Sequence, residues 1–215
     1  VYNTGRLVCL DTRTNEIKWQ QDDLVGELGT DKQGIFTLFV DRDNDIWMYS
    51  PLGIWVYNPE QEKWLSWLTN IIKRRSHNMV RAVSQDKQGR IWIGTDQDGI
   101  DILDKKTGEV RQLRNKAGDE RSLQNNTVMV LYEDSSETMW VGTYKKGISY
   151  FNECAFKFGA EYIGDISCIE EDKEGYVWLG TNDVGIIYWN SVTGNRAAFP
   201  QKGICLLYTS PSPRD

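Results

Sequence analysis

A repeated spacing of aspartate, tryptophan and glycine constrains this 215-residue chain more than any other feature. Four tryptophans follow an aspartate by six residues, in the pairs Asp41 and Trp47, Asp86 and Trp92, Asp134 and Trp140, and Asp172 and Trp178. In the last three copies a glycine comes two residues after the tryptophan, at Gly94, Gly142 and Gly180, whereas the first copy has Tyr49 there. Because the tryptophans recur every 38 to 48 residues, the sequence predicts the blades of a propeller or the units of a solenoid.

The internal period of the repeat distinguishes these two architectures. Between residues 80 and 113, four short apolar segments (VRAV, IWIGT, IDIL and VRQL) alternate with turn-forming clusters. Such segments predict a four-stranded antiparallel meander, and no window of the sequence shows a sustained helical period. We therefore predict an all-β fold, namely a β-propeller whose blades are four-stranded antiparallel sheets.

The repeats divide the chain into one propeller arc and a tail. We expect the arc to cover residues 1–203, with a partial blade at 1–25 and complete blades at about 35–68, 80–113, 128–158 and 166–199. Four complete blades plus partial ones make an open arc rather than a closed ring. Residues 204–215 lack the repeat, and we expect a non-propeller tail whose ending, CLLYTSPSPRD, resembles a translated adaptor or assembly artefact.

Each repeated residue has a predicted structural role. The tryptophan can fill the space between neighbouring sheets, and the aspartate can accept hydrogen bonds from turn N–H groups. The first glycine leaves room for another backbone, and a second glycine farther on permits a turn with positive φ. We assign these roles to Asp41, Trp47, Asp86, Trp92, Gly94, Asp134, Trp140, Gly142, Asp172, Trp178 and Gly180.

Composition excludes several classes of partner. The net charge of −6 and the pI of about 5.0 argue against nucleic acid and anionic membranes, because phosphate binding needs a basic surface. The sequence shows neither an export signal nor an apolar run of about 18 residues. The four cysteines show no C-x-x-C motif, which favours small buried hydrophobic residues, with a disulfide as the alternative; they are Cys9, Cys154, Cys168 and Cys205.

Catalytic chemistry finds little support in the sequence. His77 is the only histidine, so neither a histidine metal cluster nor a nucleophile triad is expected. Neighbouring carboxylates such as Glu170 and Glu171 are usually only solvated. The Gly-x-x-x-x-Gly spacings lack the Lys-Ser/Thr of a phosphate loop. We therefore predict no catalytic residue, no metal and no cofactor for this chain.

The connections between strands indicate where a ligand could bind. In an antiparallel meander the turn after the second strand and the linker between blades lie at the same end, and here they vary most from copy to copy. Tyrosine can stack on a sugar ring, while charged side chains bind hydroxyl or acidic groups. The candidate ligand-binding residues are Arg74, Arg75, His77, Asp96, Asp98, Tyr144, Lys145, Lys146 and Asp183. His77 has an alternative role in capping the linker, because it aligns with Asn125.

The repeat also resembles a known family. The motif V-x-x-V-x-x-D-x-x-G-x-I-W-I-G-T-x-x-x-G-I, preceded by S-H-N-M-V (76–80) or S-L-Q-N-N-T-V (122–128), is similar to the two-component regulator propeller repeat over residues 35–194. That resemblance implies seven-bladed propellers, commonly paired, in the periplasmic sensor region of Bacteroidetes-type hybrid histidine kinases that detect oligosaccharides released from polysaccharides. The expected partners are then an oligosaccharide, the remaining propeller blades, the kinase domains of the parent protein and a second copy in a homodimer.

Three functions from different classes remain open at this point. The leading hypothesis is a ligand-sensing fragment of a two-component regulator. The second is a secreted propeller enzyme, a polysaccharide lyase or a glycosidase, whose catalytic residues lie on other blades. The third is a protein-interaction scaffold.

Overall fold

The computed structural model describes residues 6–22, 35–51, 53–75, 79–119, 121–152, 159–161, 163–190 and 193–200. Within them the chain forms five antiparallel sheets, in which each strand pairs with its neighbours in sequence. A two-stranded hairpin comes first, formed by β1 (Leu7–Leu10) and β2 (Ile17–Gln21). Residues 1–5 and 23–25 of the expected partial blade and the expected tail at 204–215 lie outside the described residues.

Four four-stranded sheets follow the hairpin, and we call them blades 1 to 4. Blade 1 contains β3 (Thr37–Val40), β4 (Ile46–Ser50), β5 (Gly53–Asn58) and β6 (Lys63–Trp64). Blade 2 contains β7 (Val80–Gln85), β8 (Ile91–Thr95), β9 (Ile100–Leu103) and β10 (Val110–Leu113). Blade 3 contains β11 (Val128–Glu133), β12 (Met139–Thr143), β13 (Gly147–Phe151) and β14 (Gly159–Glu161). Blade 4 contains β15 (Ile166–Glu171), β16 (Tyr176–Thr181), β17 (Gly185–Asn190) and β18 (Arg196–Pro200).

The blades stand side by side in sequence order. The first strand of blade 2 contacts the first strand of blade 3, which in turn contacts the first strand of blade 4. Radially arranged four-stranded meanders of this kind form a β-propeller. The predicted all-β propeller fold is therefore confirmed, while the number of blades in the ring stays a prediction.

One helix departs from the predicted all-strand pattern. The sequence analysis expected blade 1 to extend to about residue 68, but the chain leaves the sheet after the two residues of β6 and forms α1 (Ser66–Arg75). The apolar residues Leu65, Leu68 and Ile72 recur at helical spacing, and all three are buried in the core between blades 1 and 2. Tertiary packing of this apolar stripe outweighs the strand-like appearance of KWLSWL.

The repeat tryptophans fill the spaces between blades. Trp47, Trp92 and Trp140 are at most 2% exposed, and each lies in a core cluster with residues of the following blade. Burying such a ring removes roughly 150–250 Å² from water. At about 25 cal/mol per Å² this contributes at most about 4–6 kcal/mol per interface. The predicted role of these three tryptophans is confirmed.

The repeat aspartates hold the turn and the tryptophan together. Asp134 Oδ1 accepts the backbone N–H groups of Ser136 and Thr138, each at 2.9 Å, and its Oδ2 accepts the indole N–H of Trp140 at 2.7 Å. The indole bond recurs in the other three blades at 2.7 to 2.8 Å. The aspartates cap the turns as predicted, but the bond to the tryptophan had not been foreseen.

The glycine after the tryptophan faces side chains rather than backbone. A Cβ on Gly94 would lie 2.5 Å from Cγ1 of Val128, and a Cβ on Gly142 would lie 2.5 Å from Cγ1 of Val130 and 3.0 Å from Cγ2 of Ile166. Val128 and Ile166 begin the first strands of the next blades. The close approach was predicted correctly, but the expected partner, another backbone, was wrong.

Blade 1 accommodates the exceptional tyrosine in the same space. Tyr49 is buried and packs in one cluster with Val80 and Val83 of blade 2. Burial raises the pKa of Tyr49, against the opposing effect of hydrogen bonds to Val83 and Thr37. At this interface the tyrosine side chain itself packs against the next blade, whereas at the interfaces with Gly94 and Gly142 the neighbouring side chains close over the glycine.

The cysteines match their prediction only in part. Cys9 and Cys168 are free thiols, Cys9 is half-buried and Cys168 is exposed, so the interpretation as a buried hydrophobic residue is wrong for Cys168. Cys154 and Cys205 lie outside the described residues.

Replacing Asp134 by alanine should destabilise the chain, because the substitution leaves the indole N–H of Trp140 and two turn N–H groups without their acceptor. We expect a loss of about 3 kcal/mol in the free energy of unfolding, measured by urea denaturation. The matched control is Asp119→Ala, since Asp119 also caps a turn but is exposed; it should cost less than about 1 kcal/mol. Equal effects at the two positions would contradict the proposed role of the Asp–Trp bond.

Replacing Gly142 by alanine should overpack the space between blades 3 and 4. We expect a cost of about 1–3 kcal/mol in the free energy of unfolding. The cost should fall in a Val130→Ala background, since the added methyl group then has room, and a double-mutant cycle measures this coupling. Strict additivity of the two substitutions would show that the contact with Val130 is not the cause.

Candidate functional site

Different turns and linkers lie at the two ends of the blades. We call the end with the repeat-aspartate turns and the turns between third and fourth strands the aspartate face. The opposite end, with the turns between second and third strands and the linkers between blades, is the linker face. The candidate ligand-binding residues that the structure describes belong to the linker face or to the segment that leads to it.

Among the candidates whose exposure the structure describes, those in the turn of blade 3 are the most exposed. Tyr144, Lys145 and Lys146 are all exposed, and Tyr144 is 42% exposed. Lys145 Nζ lies 4.9 Å from the centre of the Tyr144 ring, and its interaction with Tyr144 raises the pKa of Lys145. The turn offers an exposed aromatic ring and two ammonium groups.

The acidic candidates of blade 2 already have protein partners. Asp96 accepts a hydrogen bond from Nη2 of Arg81 at 2.7 Å and one from Oγ1 of Thr127 at 3.3 Å. Asp98 lies 2.6 Å from Nη2 of Arg114. A ligand at these carboxylates would have to share them with, or displace, these partners.

The remaining candidates are spread around the arc. Asp183 Oδ1 accepts the backbone N–H of Asp165 at 3.0 Å, which ties the turn of blade 4 to its own linker. Arg74 and Arg75 end α1. His77 lies outside the described residues, so its linker-capping and ligand-binding roles both stay predictions.

A repeated hydrogen bond builds the linker face. The N–H group of Asp96, Tyr144 or Asn182 donates to the carbonyl of the residue before the first strand of the same blade, at 2.8 to 3.0 Å. Thr127 joins two turns, because its carbonyl accepts from Tyr144 N at 3.0 Å while its hydroxyl contacts Asp96. The structure thus places Asp96 and Tyr144 on either side of Thr127, whereas Asp183 belongs to the next blade.

The aspartate face contains a cavity that sequence reasoning missed. It has a volume of about 570 Å³ and lies between blades 1 and 2. Two tryptophans, Trp64 and Trp67, contribute to its wall, together with Gln61, Lys63 and Lys106. The KWLSW sequence was the only signal for it, and the sequence analysis had included that segment in the sheet of blade 1.

The indole rings of Trp64 and Trp67 differ in exposure and in hydrogen bonding. Trp67 is 48% exposed, so its ring is free to stack against a ligand. The indole N–H of Trp64 is buried and has no hydrogen-bond partner within the described residues. An exposed ring beside amide, ammonium and carboxylate groups is suited to a polar ligand with apolar faces, such as a sugar.

A lysine from blade 2 closes one side of the cavity. Lys105 Nζ lies 2.6 Å from Asp41 Oδ2, 2.7 Å from Asp43 Oδ2 and 2.6 Å from Asp45 Oδ2. Burial lowers the pKa of Lys105, but the three carboxylates outweigh it, so that the pKa lies above its usual range. The hydrogen bond from Lys105 also holds the pKa of Asp43 below its usual value.

The same three carboxylates are the cluster of possible metal ligands found within the described residues. Their oxygens lie within 4.8 Å of one another, and oxygen sets of this kind bind Ca²⁺ in other proteins. Here the ammonium group of Lys105 contacts all three, so the protein supplies its own cation. The cluster therefore joins blades 1 and 2 electrostatically.

Comparison with known proteins identifies the repeat. The family model described as two component regulator propeller matches residues 75–97, 122–145 and 163–183. Three segments of the chain are two-component regulator propeller repeats. The matched segments cover the linker, the first two strands and the following turn of blades 2, 3 and 4, which confirms the resemblance predicted from the sequence. No curated protein matches the chain.

Solved structures share the propeller architecture of these repeats. Two extracellular domains from B. thetaiotaomicron, each described as part of a hybrid two-component system, match at TM-scores of 0.65 and 0.59 with 22% and 17% identity. These matches cover 90% and 78% of this chain but only 26% and 24% of the domains, so the chain spans about a quarter of their length. Virginiamycin B lyase from Staphylococcus aureus matches at a TM-score of 0.66 with 12% identity, over 93% of this chain and 64% of the lyase. At these identities the likeness shows the fold alone.

The described residues contain no helix with both the length and the hydropathy needed to cross a membrane.

Replacing Lys105 by methionine should destabilise the propeller repeats, since it leaves the buried carboxylate of Asp41 without its ammonium partner. We expect a loss of about 3 kcal/mol in the free energy of unfolding, measured by urea denaturation at neutral pH. The control is Lys106→Met, because Lys106 is the exposed neighbour and should cost almost nothing. A loss of the same size from both substitutions would contradict the assignment.

The pKa shifts of Lys105 and Asp43 predict how the stability difference between wild type and Lys105→Met depends on pH. Lys105 has a raised pKa, so its contribution is complete below its ordinary value of 10.5 and is lost only as the pH rises through the higher folded value. Asp43 has a lowered pKa, so its contribution is present above 3.8 and is lost as the pH falls through the lower folded value. The stability difference between wild type and Lys105→Met should therefore stay constant from about pH 5 to pH 10 and shrink in acid.

Proposed function

We propose that this chain is part of the ligand-sensing propeller region of a two-component signal-transduction regulator, located outside the cytoplasm. The match of three segments to the two-component regulator propeller model is the observation that carries this proposal. The similarity in fold to extracellular domains of hybrid two-component systems supports the location. The partners in this proposal are the kinase domains of the parent protein and a second copy in a homodimer.

We further propose that the ligand is an oligosaccharide derived from a polysaccharide. The cavity on the aspartate face supports this ligand class, because the exposed ring of Trp67 can stack on a sugar while Gln61 and Lys106 can bind its hydroxyl groups. The cavity is concave, as ligand sites usually are. We therefore place the sugar in the cavity, with the linker face as the alternative site.

Binding at this position would affect how neighbouring blades pack. The cavity walls come from blade 1, α1 and the turn of blade 2 that carries Lys105 and Lys106. A ligand that binds one arrangement of these elements more tightly shifts the population toward it, and only this difference in affinity can carry a signal.

The test is calorimetric titration of the chain with a panel of neutral and acidic oligosaccharides. Trp67→Ala should weaken binding of the responding sugar about tenfold or more, a loss of about 1.4 kcal/mol. Tyr144→Ala is the matched control, because Tyr144 has similar exposure on the opposite face and should leave the affinity unchanged. The reverse pattern would move the site to the linker face.

Other outcomes of this test select other functions. If no sugar of the panel binds, the oligosaccharide proposal is wrong. Cleavage of a polysaccharide by the parent protein would favour the enzyme hypothesis, and a stable protein partner without any response to sugars would favour the scaffold.

A further inference from the structure

Among the carboxylates that bind Lys105, that of Asp43 is the one that a ligand in the cavity can reach. The side chain of Asp43 is 68% exposed, whereas those of Asp41 and Asp45 are 0% and 5% exposed. Asp43 and Trp67 line the same cavity, and Trp67 is 48% exposed. The cavity therefore combines an accessible carboxylate with an accessible indole ring.

The carboxylate of Asp43 is held in position although it is exposed. The backbone N–H of Asp43 donates to Oδ1 of Asp41 at 3.0 Å, and Oδ2 of Asp43 lies 2.7 Å from Nζ of Lys105. Oδ1 of Asp43 accepts no hydrogen bond from any residue that the structure describes. One oxygen is thus oriented by the protein while the other is available, and an acceptor that is already oriented loses little entropy when it binds a ligand.

The carboxylate of Asp43 acts only as an acceptor at neutral pH. The hydrogen bond from Lys105 holds the pKa of Asp43 below its usual value, so the group is ionised. An ionised carboxylate binds hydroxyl donors strongly, and it has no proton to donate to another carboxylate or to a sulfate. A sugar hydroxyl therefore suits this position, and an anionic group does not.

The charge that is fixed in this wall of the cavity is negative. The three carboxylates surround one ammonium group, that of Lys105, which leaves two negative charges in excess. Lys63 and Lys106 also line the cavity, but their side chains are exposed and form no ion pair within the described part of the chain. Lys106 affects the pKa of Asp43 less than the hydrogen bond from Lys105 does. Because water and salt screen exposed charges more than buried ones, the buried cluster dominates the potential in the cavity.

We propose that Asp43 sets the ligand specificity of this cavity. A hydroxyl group of the sugar donates to Oδ1 of Asp43 while the sugar ring stacks on Trp67, and the cavity selects sugars that carry no carboxylate or sulfate group. This inference rests on the proposed function, because it takes the cavity as an oligosaccharide site, and it adds the class of sugar that fits there.

The experiment compares forms of one trisaccharide that differ in a single group. The parent is the trisaccharide with the highest affinity in the calorimetric panel, prepared with a hydroxyl, a carboxylate or a sulfate at the same position. We expect both anionic forms to bind about tenfold more weakly than the hydroxyl form at low salt. The difference should shrink as the ionic strength rises, because salt screens the repulsion.

Variants of Asp43 separate its charge from its shape. Asp43→Asn keeps an oxygen acceptor but loses the negative charge, so we expect the hydroxyl form to bind about fivefold more weakly and the discrimination against the anionic forms to shrink. Asp43→Glu keeps the charge and should keep the discrimination. The matched control is Glu60→Gln, since Glu60 is exposed in the turn of blade 1 but does not line the cavity. It should change neither the affinity nor the discrimination.

The results that contradict this inference differ from those that contradict the proposed function. If an anionic form binds more tightly than the hydroxyl form, Lys63 and Lys106 decide the specificity instead, and the oligosaccharide proposal stands. Equal behaviour of Asp43→Asn and Glu60→Gln would show that Asp43 does not contact the sugar, provided that Trp67→Ala still weakens binding. If no sugar of the panel binds, the proposed ligand class is wrong and this inference falls with it.

Discussion

The bond between the repeat aspartate and the indole of the repeat tryptophan is the interaction on which the arc depends. One carboxylate oxygen caps the tight turn between the first two strands, and the other accepts the indole N–H from inside the core. The turn thereby orients a ring that must fill the gap to the next blade. Because a buried indole N–H without a partner is costly, turn geometry and blade packing are coupled in each repeat.

The blades compensate the charge of this aspartate in different ways. In blade 2 the side chain of Arg90, four residues later, bonds to Asp86 at 2.7 Å. In blade 1 the fourth residue is Asp45, and the positive charge comes from Lys105 of the neighbouring blade. The cation that pairs with the repeat aspartate therefore comes from the same blade in blade 2 and from the neighbouring blade in blade 1. The ion pair with Lys105 forms one wall of the candidate cavity.

Much of the fold could be predicted from one sequence, because the repeated residues satisfy local rules. An aspartate that caps a turn, a ring on the following strand and glycines where space is short all act within a few residues of one another. The helix α1 was missed because Trp64 and the residues after it fit a strand pattern as well as a helix pattern, and only burial of Leu68 and Ile72 in the core shared by blades 1 and 2 decides between them. The candidate cavity could not be predicted, since its walls combine residues 43–45, 58–67 and 105–106.

The sequence by itself determined the four-stranded type of blade and the place of the repeat-aspartate turns, because these depend on short-range spacing. Only the tertiary structure decided which side chains meet across the blades. The docking of two separately formed sheets decides whether Gly142 faces a backbone or Ile166. It also decides whether Asp41 pairs with a cation of its own blade or with Lys105. The shape and charge of whole sheet surfaces decide how two sheets pack against each other. Residues about 60 positions apart in the chain, such as Asp45 and Lys105, therefore meet in one interface.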